Sequence, residues 1–388
     1  MRSVCFVDKI ELDFSGNILA DAIALGDIDN DGENELVVGT INGELSIFKG
    51  EKLWQTIFGL GMIASVGVGD IMNCGSNAVV AISGEGWCHF YMCINQNKPN
   101  ICEKLQLVYQ RRIPTNAKVM VLGDIQGDGQ TDLIVGLTDR VVRIYRWLQT
   151  REVASLVCLN KCECASQIGS ICIGKDIEGK PCVLVSQPGA TYMTISNSQE
   201  ENPLVEYHEV PLPKLTCSSI SSQIVGCVGN DSSIGVVSLD GTVSYISKQK
   251  LLWTINVEQQ LFTAGKVSVC NEGGEQIVTS AWSGHTFIID TQSNIVCFEV
   301  GQAIQSFISG IYANNKSTSF IYVTYSNKIF VYFNIEIERM VLYSLYALQA
   351  NDPELSMYTR QELKEITEYC LYHEDSDDKK TSDDKETA

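Results

Sequence analysis

The strongest constraint on this chain is a strand unit that recurs seven times along it. In each copy an apolar strand, a short turn and an alternating strand follow one another. The copies read ELVVGTINGELSIF from Glu35, VVAISGEGWCHFYM from Val79, LIVGLTDRVVRIYRW from Leu133, CVLVSQPGATYMTI from Cys182, IGVVSLDGTVSYI from Ile234, QIVTSAWSGHTFIID from Gln276 and SFIYVTYSNKIFVYF from Ser319. Gly, Asn, Asp or Ser sits in each turn, where tight hairpins need tolerance of positive φ. A further apolar run precedes each copy, from AIALGDI at Ala22 to QSFISGI at Gln305. Glycine near the end of this run suits a centre where backbones crowd together. Most copies are followed by one more strand, such as LWQTI at Leu53 or IVCFEV at Ile295. Four strands repeating at roughly 40 to 55 residues describe the blades of a propeller.

Six outer strands serve seven blades. The spare strand stands at the start of the chain, VCFVDKIEL from Val4 to Leu12. Pairing it as the outer strand of the last blade closes the ring and removes two exposed sheet edges. The expected fold is therefore all-β: a seven-bladed β-propeller over residues 1–335, closed by the N-terminal strand, with a short C-terminal helical segment over 336–372. In that segment MVLYSLYALQA from Met340 and the stretch from Pro353 to Tyr372 have helical spacing, with Leu363, Ile366 and Cys370 on one face and Pro353 suited to a first turn. The remaining residues, 373–388, read as a disordered acidic tail.

Charge then narrows the function. With 28 Lys and Arg against 47 Asp and Glu the net charge is −19. A chain that acidic repels phosphate backbones, which argues against nucleic acid as a partner. The start, MRSVCFVDKIELDF, has no apolar core of the kind a signal peptide needs. No apolar run approaches the roughly 18 residues of a transmembrane helix. The 15 cysteines accordingly read as reduced cytosolic thiols.

Two loops between the first two strands of a blade carry carboxylates at metal-ligand spacing. In the first, Asp27, Asp29, Asp31 and Glu35 hold relative positions 1, 3, 5 and 9, and Glu33 offers its backbone carbonyl at position 7. In the second, Asp124, Gln126, Asp128, Gln130 and Asp132 stand at the same spacing, with three carboxylates and one side-chain amide among the ligands, a weaker set. Structural Ca2+ is the cofactor this pattern suggests. Equivalent loops have lost ligands: blade two reads Asp70-Ile-Met72-Asn-Cys74-Gly75, and blade six reads Ser268-Val-Cys270-Asn-Glu272-Gly273. That decay leaves a second reading open, an Asx-type turn held by carboxylate-to-N–H bonds without an ion.

GDIDNDGENELVVG (Gly26 to Gly39) and GDIQGDGQTDLIVG (Gly123 to Gly136) resemble FG-GAP repeats of the integrin α-subunit propeller. In that family such loops bind calcium structurally. SGEGWCHF, LTDRVVRIYRW, LLWTINVEQQLF and AWSGHTFIID carry the resemblance over nearly all of residues 1–372, toward the FG-GAP propellers that serve as subunits of the KICSTOR complex. The resemblance implies a non-enzymatic adaptor or scaffold that assembles with a kaptin-like propeller and an SZT-two-like scaffold. It implies a cytoplasmic protein held at the lysosomal membrane surface within a complex, recruiting the GATOR complex and restraining TOR signalling when amino acids or glucose run short. The residues alone leave two alternatives: a propeller enzyme with a site in the central funnel, and an adhesion-type propeller stabilised by calcium.

Other motifs carry less. Gly169 to Asp176 approaches a P-loop but lacks the Ser/Thr that holds magnesium. Cys158, Cys162, Cys164, Cys172 and Cys182 lack the paired spacing of a zinc site. Arg140, Arg143 and Arg146, with Arg111 and Arg112 nearby, form a basic strip, read either as a solvated strand or as a docking patch for an acidic partner. The tryptophans 54, 87, 147, 253 and 282 are read as filler between blades.

Overall fold

The computed structural model describes residues 2–94, 104–149, 154–176, 178–196, 204–209, 221–229, 233–342 and 357–372. Residues 1–340 form one unit, built from seven sheets, each with an antiparallel four-stranded core. Blade one comprises Ile23–Gly26, Glu35–Gly39, Leu45–Lys49 and Lys52–Ile57. Blade two comprises Ile63–Gly69, Ala78–Ser83, Trp87–Cys93 and Leu105–Arg112. Blade three comprises Ala117–Gly123, Asp132–Leu137, Val141–Gln149 and Ala154–Glu163. Blades four, five and six begin at Ile171–Lys175, Ser222–Val228 and Leu261–Val267. Blade seven takes Ile304–Ile311, Thr318–Thr324 and Lys328–Tyr332 from the end of the unit. The first strand of each blade touches the first strand of the next, and that of blade seven touches that of blade one. The ring is closed.

Strand alternation explains how the blades stack. Glu35–Gly39 is buried along its whole length. Val37 packs toward blade two with Ile63 and Val79, whereas Leu36 and Val38 pack toward blade seven with Ile321 and Val323. Successive side chains of one strand thus serve the cores on its two faces. The inner strands approach as their glycines suggest. A methyl at Gly26 would lie 2.6 Å from Val68 Cγ1 of the next blade, and one at Gly123 would collide with Ile173.

The N-terminal segment closes blade seven as expected, but over a shorter span. Lys9–Asp13 pairs antiparallel with Lys328–Tyr332, and Leu12 and Phe14 are buried. The residues before it run elsewhere. Arg2 and Ser3 pair in parallel with Val296 and Cys297, adding a fifth strand to blade six. Phe6 packs on Phe298, ring centroids 4.9 Å apart, which draws the chain from one blade to the other. The expected strand from Val4 to Leu12 is corrected to Lys9–Asp13.

Residues 341–388 form a second unit, in which a helix, α1, spans Arg360–Tyr372. Its start is a capping box. Thr359 N donates to Glu362 Oε2 at 2.8 Å, and Glu362 N donates back to Thr359 Oγ1 at 3.4 Å. Leu363 and Ile366 of the expected apolar face are half-buried. Most of the helix expected from Met340, the first turn expected at Pro353 and the tail over 373–388 lie outside the described residues. No described helix is long and apolar enough to cross a membrane.

Two smaller expectations are corrected. Cys93 is disulfide-bonded, whereas Cys88, Cys158, Cys162, Cys164 and Cys182 are free thiols. Trp147 is buried between blades, but Trp87 and Trp282 stand 39% and 38% exposed rather than filling a core.

Candidate functional site

Both carboxylate loops join the first strand of a blade to its second and so lie on one face of the ring. In blade one, Asp27 staples the turn: Oδ1 accepts from Asp31 N at 3.0 Å and Oδ2 from Gly32 N at 2.9 Å. Gly32, at φ 94°, supplies the left-handed step that lets both N–H groups face one carboxylate. Asp31 Oδ1 accepts from Glu33 N at 2.9 Å. Glu35, fully buried, closes the loop by accepting from Ile28 N at 2.8 Å. One oxygen each of Asp27, Asp29 and Glu35 lies within 4.8 Å of the others. Asp29 Oδ1 is buried and accepts no hydrogen bond. Taken alone, these donors fit a hard cation.

A cation of the chain is already among them. Lys49, from the third strand of the blade, places Nζ 2.7 Å from Asp29 Oδ2, 2.5 Å from Asp31 Oδ2 and 3.3 Å from Glu35 Oε1. Partial burial works against the charge of Lys49, yet hydrogen bonds to Asp29 and Asp31 outweigh it and hold the ammonium above its ordinary range. Burial pushes the Glu35 carboxyl up to about 7; the Ile28 N–H and Lys49 pull it down, and Asp29 adds to the rise.

Blade three repeats the arrangement. Asp124 Oδ1 accepts from Gln126 N at 3.0 Å and Gly127 N at 2.7 Å, and Oδ2 from Gly129 N at 2.7 Å. Desolvation works to raise the Asp124 carboxyl, but these N–H groups together outweigh it and hold the group below its usual range. Gln130 N donates to Asp128 Oδ1 at 3.0 Å. Here the centre is taken by a guanidinium. Arg146 Nε lies 2.6 Å from Asp132 Oδ1, Nη2 2.9 Å from Asp132 Oδ2, Nη1 2.5 Å from Asp128 Oδ2 and Nη1 3.4 Å from Gln126 Oε1. Arg146 is 7% exposed and Asp132 fully buried. With Arg146 in this position the second loop does not fit a calcium ion.

Sequence reasoning missed both cations at the centres of these turns, Lys49 and Arg146. The basic-strip expectation is corrected at Arg146, which is buried in an acidic turn and belongs to neither a solvated strand nor a docking patch. A usable signal was present: Arg146 follows Asp132 by 14 residues, the same separation that puts Lys49 after Glu35.

The degenerate loops keep the turn. Asp70 in blade two accepts from Cys74 N at 2.9 Å and Gly75 N at 2.7 Å, as Asp27 does in blade one. In blade six Gln276 takes the place of Glu35, its Oε1 accepting from Val269 N at 3.0 Å. Neighbouring loops are also stitched together. Asn30 Oδ1 accepts from Asn77 N at 2.9 Å, and Asn73 Oδ1 from Thr131 N at 2.7 Å. The zinc-like cysteines Cys162 and Cys164 are core residues between blades three and four.

The antiparallel order puts the turns between second and third strands, and the blade-to-blade connections, on the opposite face. There Ile41, Phe58, Met62, Trp87, Trp282 and Tyr325 are exposed, Phe58 by 67% and Tyr325 by 60%. They belong to blades six, seven, one and two, which are consecutive around the ring, and so form an apolar crescent.

A family model described as integrin-alpha FG-GAP repeat-containing protein 2 matches residues 49–337. A protein of Mus musculus named KICSTOR complex protein ITFG2 is 35% identical, the match covering 97% of this chain and 97% of that protein. The chain belongs to the integrin-alpha FG-GAP repeat-containing protein 2 family. A Bos taurus member bearing the same name as the mouse protein is 36% identical over 88% of this chain and 73% of its own length. Among solved structures, BBS1N in complex with ARL6DN matches with a TM-score of 0.62 at 13% identity, covering 87% of this chain and 100% of that one. At that identity the likeness shows that the family shares a ring fold with it and nothing more.

Proposed function

We propose that this chain is a non-enzymatic scaffold subunit of a KICSTOR-like complex. The observation that carries the reading is 35% identity over 97% of both chains with a mouse protein named as a KICSTOR complex protein. Together with the FG-GAP resemblance it extends to a fuller role. The chain assembles with a kaptin-like propeller and an SZT-two-like scaffold at the lysosomal membrane surface. There the complex recruits the GATOR complex and restrains TOR signalling when amino acids or glucose are scarce.

Two physical features support a scaffold. The carboxylates of Asp27 and Asp124 accept backbone N–H groups of their own turns, a structural use of these acids. The crescent that includes Phe58 and Tyr325 places several exposed apolar side chains on one face of consecutive blades, as suits an assembling subunit. The test is gentle affinity purification of the tagged chain from fed and starved cells, followed by mass spectrometry. Co-purification of the other subunits in near-stoichiometric amount is the expected result; recovery of the chain alone would defeat the reading.

A further inference from the structure

We propose that the two carboxylate turns are closed by cations of the chain itself, Arg146 in blade three and Lys49 in blade one, which stand in the place of calcium and leave the propeller complete without the ion. Three observations lead there. First, the two cations are equivalent: each comes from the third strand of its blade and meets the loop at relative positions 3, 5 and 9, Lys49 through Asp29, Asp31 and Glu35 and Arg146 through Gln126, Asp128 and Asp132. Those are three of the four positions from which a calcium ion would draw side-chain ligands; the fourth, Asp27 or Asp124, is held by the turn's own N–H groups.

Second, the central position cannot be shared. Calcium requires about six to eight oxygens at roughly 2.3–2.6 Å. The fork of Arg146 already takes both oxygens of Asp132 and reaches both of Asp128. To admit an ion, a buried guanidinium would have to give up these acceptors, and an uncompensated buried charge is costly. Lys49 is the looser of the two closures, with 32% of its side chain in water. As part of the same blade, either cation is present at a high effective concentration and needs no free ion to saturate the turn.

Third, the turn does not depend on a filled centre. Blade two has the staple of Asp70 but Met72 and Cys74 where the other ligands would stand, and its loop makes the same two carboxylate-to-N–H bonds.

The test uses the purified full chain. Its melting temperature is measured in excess EGTA and in about 1 mM calcium chloride, and its bound calcium by elemental analysis. The expected result is the same melting temperature within about 1 °C and no stoichiometric calcium. Lys49→Met and Arg146→Met should melt lower in EGTA, and calcium should restore part of the loss because the vacated carboxylates then accept the ion. A wild-type chain that melts several degrees higher in calcium, or carries calcium in stoichiometric amount, would overturn the proposal, as would either Met variant melting unchanged in EGTA. Should Arg146→Met fail to fold, Arg146→Lys retains a cation and is expected to melt alike in EGTA and calcium; a calcium-raised melt for that variant would also count against the proposal.

Discussion

Arg146 holds Asp132 by a two-pronged bond, Nε to Oδ1 at 2.6 Å and Nη2 to Oδ2 at 2.9 Å, across the second and third strands of blade three, where the two residues are direct ladder partners. Bidentate, charge-assisted pairs are the strong ones. Burial raises the Asp132 carboxyl, and Arg146 opposes the rise. Arg146→Ala would leave that buried carboxylate without its counter-ion, at a cost of about 3–5 kcal/mol. Asp132→Asn should cost less, because Arg146 keeps Asp128. Urea unfolding of the two variants beside the wild type measures the difference.

The staple is separable from the cation. Asp70 works in blade two through charge-assisted bonds to Cys74 N and Gly75 N, with no cation of the chain paired to it among the described residues. Asp70→Ala should lower stability by about 1–3 kcal/mol. The loss should be identical in EGTA and in calcium, which denaturant titration in both buffers reads directly.

Closure of the ring rests on a short ladder. Lys9–Asp13 covers the outer edge of blade seven and brings Leu12 and Phe14 into its core. Deleting residues 1–14 should expose that edge and yield an unstable, aggregating chain. Deleting residues 1–3 removes the two-residue parallel pairing to blade six and the exposed bond from Arg2 Nη1 to the Arg339 carbonyl, and should leave the melt nearly unchanged. Size-exclusion chromatography and thermal melts of the two truncations distinguish these outcomes.

The unequal weight of those two pairings also shows what the sequence could reveal. Seven blades were legible because period-2 alternation and turn residues are local signals, and counting six outer strands against seven blades pointed to the N-terminus. The start of the closing strand was not legible. It depends on Phe6 lying against Phe298, a contact between residues 292 positions apart that leaves no periodic trace. The carboxylates of the turns were legible from spacing. Their counter-ion was not, because Arg146 reads as exposed until hairpin register places it opposite Asp132. Charge on a strand suggests a solvated or docking face, and the acidic partner across the ladder overrides both.

Asp21 gives a pH dependence of definite sign. Burial pushes its carboxyl up from 3.8 to about 6, against the opposing pull of Lys118. Between those two values the folded chain holds a proton that the unfolded chain has released. Stability from this group is therefore fully present below about 3.8, falls as pH rises toward about 6, and is level above it. Asp21→Asn should be more stable than the wild type near neutral pH and should lose this part of the slope. Unfolding free energies of both proteins, measured across that window, carry the comparison.

The crescent is testable apart from the fold. Phe58 and Tyr325 project from connections on blades one and seven and are mostly in water, so aspartate at both positions removes apolar surface without opening a core. Surface changes of this kind usually alter stability by no more than about 0.5 kcal/mol. Phe58→Asp with Tyr325→Asp should thus melt with the wild type yet capture much less of the other complex subunits in affinity purification. A matched change on the carboxylate face, Glu33→Gln, should leave capture intact. Equal capture by all three chains would remove the crescent from consideration as the assembling surface while leaving membership of the complex to be read from the wild-type purification.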